Sequence, residues 1–142
     1  LVAPATGANN VVVSSSASQW IGGIAASYTG AAQTGQPDAS AVGGKAFPND
    51  AQANGSVTTV ADNSWVVMAV FFQDAGAGLA AGANTTLRQS QAAAGTVGLA
   101  DSNAAVTPAG SRTLIVDGGN DGLAWVIASF APAAAAASPP DD

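Results

Sequence analysis
The chain has 142 residues, a usual length for one domain, with 48% hydrophobic residues, 8% charged residues and a net charge of −6. Three basic residues cannot track a phosphate backbone or hold an anionic bilayer surface, so nucleic-acid and membrane-surface binding are excluded as expectations. With no Cys and no His, and with Asp as the only acid, thiolate or imidazole metal sites, Ser-His-Asp triads and Glu general acids are all unavailable.

The same composition leans to β structure. Strong soluble helix formers are nearly missing, while Val, Thr and Ser suit strands and Asn, Asp and Gly suit turns. No stretch reaches the roughly 18–20 apolar residues of a membrane span, so no membrane insertion is expected. Leu1 in place of Met suggests a processed or truncated chain.

In chain order, Val11-Val12-Val13 marks a strand over 10–16, after turn chemistry at Pro4, Gly7 and Asn9-Asn10. A second strand is expected over Trp20–Tyr28, where Gly22-Gly23 signals a bulge or the close approach of another backbone. Residues 29–54 read as a meandering connection with one short strand near Lys45–Phe47. Ser56–Val60 alternates as a half-buried strand, and Asp62-Asn63-Ser64 is a tight turn.

Trp65–Phe72 (WVVMAVFF) is the strongest signal. It is apolar on both faces, so a central strand covered on both sides is expected. A small-residue loop follows over 75–83. Thr85–Gln89 reads as a strand with Leu87 and Arg88 on opposite faces, and Gln91–Ala94 as a loop or one helical turn. Thr96–Leu99 is short and extended, and Ala105–Gly110 turns the chain. Arg112–Val116 and Leu123–Phe130 (LAWVIASF) are strands flanking the Gly-rich turn Asp117–Gly122. About eight strands with turn signals every dozen residues or so predict an antiparallel β-sandwich or jelly roll.

Few residues can carry chemistry. Two Asp could form a glycosidase-type pair, with Asp62, Asp74, Asp101, Asp117 and Asp121 as candidates, but most flank Gly, Asn or Ser, where Asp caps turns. The Asp117–Asp121 loop has clustered oxygens that could attract calcium. Its third position is Gly119 and no Glu follows, so the plainer reading is a hairpin loop. Gly76-Ala-Gly78 lacks the Lys-Ser/Thr of a phosphate loop. Trp20 and Tyr28 are the candidates for stacking on a ligand such as a sugar ring, whereas Trp65 and Trp125 are expected to anchor the core. Arg88 and Arg112 are each expected to pair with an Asp or cross a strand edge.

Five phrases carry a resemblance: ASYTGAAQTG at 26–35, VTTVADNSWVV at 57–67, TTLRQS at 85–90, ADSNAAVTPAGSRTL at 100–114 and WVIASFAPA at 125–133. Together they resemble jelly-roll-like β-sandwich modules of bacterial surface proteins and phage structural proteins. The resemblance spans most of residues 1–133 and is structural rather than catalytic. Such modules usually carry further strands upstream of the equivalent of LVAPATG, so the sandwich domain over 1–132 is expected to lack part of its sheet, the gap at the N-terminal edge being filled by a partner strand from a neighbouring subunit, by another segment or by a rearranged edge. Residues 133–142 form an Ala/Pro-rich tail that should be disordered on its own. The expected function is a non-catalytic structural module of an extracellular or virion assembly, such as capsid decoration, a fibre or a filament. Its partners would be copies of itself or other surface proteins, with no cofactor. A carbohydrate-binding, lectin-like module is the alternative.

Overall fold
The computed structural model describes residues 10–17, 21–46, 52–74, 76, 78–92, 94–119 and 122–134. They form an all-β protein of eight strands: β1 (Ala39–Lys45), β2 (Gln52–Thr58), β3 (Trp65–Phe72), β4 (Ala80–Ala81), β5 (Thr86–Ala92), β6 (Thr96–Asp101), β7 (Ser111–Asp117) and β8 (Leu123–Phe130). Two antiparallel sheets pack face to face, one of five strands in the order β1-β8-β3-β6-β5 and one of three in the order β2-β7-β4. Successive strands from β1 to β4 alternate between the sheets, and β8 returns to lie between β1 and β3. That is jelly-roll-like connectivity.

The core follows from period-2 alternation. β3 sends Val66, Met68, Val70 and Phe72 inward, and β7 answers with Leu114 and Val116 from the opposing sheet. β8 adds Ile127, and Trp125 packs against the same cluster. Trp125 is accommodated by glycine. A Cβ on Gly43, its direct partner on β1, would lie 2.3 Å from the indole. A Cβ on Gly55, from the facing sheet, would lie 2.9 Å from the Met68 sulfur and 3.0 Å from the same indole. Two bare backbones therefore make the slot that lets a ring this large sit between sheets about 10 Å apart.

Several expectations are corrected. Residues 10–16 and 21–28 join no β-ladder; Gly22, Gly23, Ile24 and Tyr28 lie against the larger sheet. The strand expected near Lys45–Phe47 is in fact β1, which starts six residues earlier, and β2 starts at Gln52 rather than Ser56. Ala and Gly fill the inward positions at the start of β2, so it lacks the apolar signal that marks a strand. Gln91 belongs to β5, and a two-residue strand, β4, lies inside the expected small-residue loop. β3 is central as expected, yet it is covered on one face only: Ala69 and Phe71 point outward and are exposed. The second sheet packs against the inner face, and among the described residues nothing of equal extent covers the outer one. Trp65 is not a core anchor; it shares the outer face with Val67, Ala69 and Phe71 and is half-buried.

Of the expected tail, Ala133 donates its N–H to the Gly30 carbonyl at 2.7 Å, and residues 135–142 lie outside the described residues.

Candidate functional site
The most elaborate polar cluster lies on the outer face of the five-stranded sheet, where residues 21–28 cross it as a strap. Asp101 ends β6, and its side chain is fully buried on that outer side. A buried carboxylate needs donors on both oxygens, and four are supplied. Arg88 gives Nε to Oδ2 at 2.6 Å and Nη2 to Oδ1 at 2.9 Å, a two-point clamp. The Tyr28 hydroxyl donates to Oδ2 at 2.9 Å, and the Asn103 backbone N–H donates to Oδ1 at 2.8 Å.

Local backbone devices aim these groups. β5 carries a bulge between Leu87 and Gln89, which makes Arg88 the extra residue of its strand. Leu87 packs toward the core while Arg88 reaches the outer face. Asn103 takes a left-handed conformation, φ 59°, which an Asn tolerates better than most residues. That turn swings its N–H back onto Asp101, and its side-chain oxygen accepts from Arg88 Nη2 at 3.3 Å. Tyr28 is held a second time by its ring, 5.5 Å from the Trp65 ring and tilted by 48°.

The electrostatics follow. Burial alone would push the Asp101 carboxyl up, but the Arg88 hydrogen bonds, the Asn103 N–H and the Tyr28 hydroxyl outweigh it and hold the group below the usual carboxylate range. The Tyr28 phenol is raised above its ordinary value, first by burial and then by its bond to the Asp101 carboxylate. The two shifts bracket the stability of this latch. The Asp101 contribution is complete above its unfolded value of about 4 and is lost as pH falls through the lower folded value. The Tyr28 contribution is complete below about 10 and is lost as pH rises through the higher folded value. Tyr28→Phe removes one donor from a charged acceptor and is expected to cost about 1.5 kcal/mol. Limited proteolysis will register the change first within residues 21–28, ahead of the strands; cleavage that rises equally everywhere would mean that the strap is not a separate unit.

The other candidate residues are dispersed. Asp62 accepts the Ala109 N–H at 2.6 Å, Asp74 accepts that of Gly76 at 2.7 Å, and Asp117 accepts from Gln52 Nε2 at 2.7 Å. Asp38 accepts from the Ser129 hydroxyl, and its other oxygen is buried without a hydrogen-bond partner. Each of these carboxylates fastens a turn or a strand end. Arg112 makes no ion pair among the described residues, and its Nε is buried without a partner, so only Arg88 meets the pairing expectation. Trp20 and Asp121 lie outside the described residues, and among the described residues no three Asp group as metal ligands. Tyr28, the other stacking candidate, is engaged at both ring and hydroxyl within the latch. The Arg88–Asp101 pairing had a sequence signal in the scarcity of charge alone; Asn103 had none.

Beside the strap runs an apolar groove of ≈ 430 Å³. Gly22, Gly23 and Ile24 form one wall, and Phe71, Leu99 and Val126 lie along its floor and far side. Phe71 is 41% and Val126 44% exposed, and Val42, next to Val126 on β1, is 77% exposed. Comparison with known proteins finds no matching family model, no matching curated protein and no matching solved structure.

Proposed function
We propose that this chain is a non-catalytic structural module that acts by packing against neighbouring subunits in an extracellular or virion assembly. The observation that carries this reading is the outer face of the five-stranded sheet, with Val42, Phe71 and Val126 exposed together on a chain that is only 8% charged. A contiguous apolar face on a monomer marks an interaction surface. A neutral surround lowers the desolvation cost of close contact. The described Asp side chains support the absence of catalysis in this reading, because each is committed to a structural hydrogen bond.

The lectin-like alternative has less support. Among the described residues, Phe71 is the single exposed aromatic, where a sugar platform needs flat rings presented to solvent.

Light scattering across a concentration series tests the proposal. The expected result is a mass that rises above the monomer and does not fall as salt is added, since an apolar interface lacks charges to screen. A monomer throughout, combined with saturable quenching of Trp fluorescence by an oligosaccharide, would overturn it in favour of the alternative.

A further inference from the structure
We infer that the partner on this face is a second copy of the same chain, which lays its Val11–Val13 segment into the groove between the strap and β8. The inference rests on the structural-module reading and adds the surface, the occupant and the contact mode.

Two unpartnered apolar features occur on one chain. Val11, Val12 and Val13 are 63%, 79% and 69% exposed, and they belong to no ladder. The groove is open at the same time, with Phe71 and Val126 exposed, so the arm of one chain does not fill its own groove. The fit of such a segment to this face is already present within the chain. Residues 21–28 already lie on the sheet, with Tyr28 bonded to Asp101 and a Cβ at Gly22 reaching ordinary contact, 3.7 Å, with Val97. An incoming arm lying beside that strap would continue an existing contact layer.

The strap is suited to receive it. None of residues 21–28 takes part in a ladder, so its backbone edge can bond an extended neighbour as an added strand. A Cβ on Gly23 would meet nothing within 4 Å among the described residues, so that side of the strap has room for an approaching backbone. Neither the groove lining nor residues 10–17 includes a charged side chain, so no ion is stripped of water when they meet. Bound as an added strand, the arm would put Val11 and Val13 on one side and Val12 on the other, so that it presses on sheet and strap together.

The chain has no cysteine, so engineered thiols report without background. Val12→Cys and Val126→Cys are made as separate full-length proteins, mixed and oxidised mildly, and the linked peptides are identified by mass. The expected product is the mixed disulfide between copies. Val12→Asp, which puts a charge on the 79%-exposed arm, is expected to weaken self-association about 10- to 100-fold with an unchanged melting temperature. A link formed within single molecules of the double variant Val12→Cys/Val126→Cys would place the arm on its own sheet and overturn the inference. An oligomer that forms no such link would overturn this interface while leaving the structural-module reading intact. A parent chain that stays monomeric at every concentration would remove both.

Discussion

Arg88→Met is expected to lower stability by about 3 kcal/mol at pH 7, or roughly 10 °C in melting temperature. Asp101 is fully buried, and without Arg88 it keeps only Tyr28 and the Asn103 N–H as donors. Leaving a buried charge half-compensated costs more than the intact pair contributes. Arg88 itself is 39% exposed, so solvent screening places the figure at the low end of the range for buried pairs. The reverse change, Asp101→Asn, is expected to cost less, about 2 kcal/mol, because a half-exposed guanidinium can turn to water.

The pH dependence separates this account from simple loss of packing. In the variant the carboxyl loses its strongest donors, so its folded value climbs and burial begins to dominate. The cost is then greatest where Asp101 is charged and shrinks as pH falls toward about 4. Melts of parent and variant at pH 7 and pH 4 check this. A gap that does not narrow at the lower pH would show that Arg88 acts through its aliphatic stem instead.

Phe72→Ala is expected to cost about 4 kcal/mol, the largest effect of a single change in the core. The side chain is fully buried at the end of β3, and a Cβ on Gly118 would fall 2.6 Å from its ring. Ring and glycine thus share one space, so their substitutions will not add. Gly118→Ala alone forces an overlap and should destabilise by about 1–2 kcal/mol. Placed in Phe72→Ala, the same methyl enters the vacated volume and should recover part of the loss. Denaturant unfolding of the two single variants and the double variant measures the coupling. Strict additivity would mean that the site collapses around the missing ring and the cavity does not persist.

How far the sequence carried the fold depended on side-chain size. β3 and β8 were legible to the residue, because WVVMAVFF and LAWVIASF are long, β-branched and bounded by turn residues. β1 and the first half of β2 were missed for the opposite reason. ASAVGGK and QANG present Ala and Gly at inward positions, and those small residues are there because Trp125 and Met68 occupy the space beside them. Small residues that make room for a distant ring leave no local periodicity to read.

The opposite error arose at Val11–Val13, where strand chemistry was present but the chain supplied no sheet for it. The latch was only partly visible. The scarcity of charge singled out Arg88, and Asp101 was one of five candidates for an acid pair, but their meeting depends on a bulge and a left-handed turn. Neither has a signature that one sequence makes plain.

The position of β8 has a consequence for how the chain is made. β8, which follows the other seven described strands in the chain, lies second in the larger sheet, bonded to β1 on one side and to β3 on the other. Until it emerges, the ladders that complete that sheet cannot form, and a nascent chain of more than a hundred residues waits with two open edges. Such long-range closure makes folding slow, on the scale of milliseconds to seconds for sandwiches of this kind, and leaves the greasy ribbon of β3 bare during the interval. Ribosome-stalled chains ending before Leu123 should therefore recruit folding helpers that the finished protein does not.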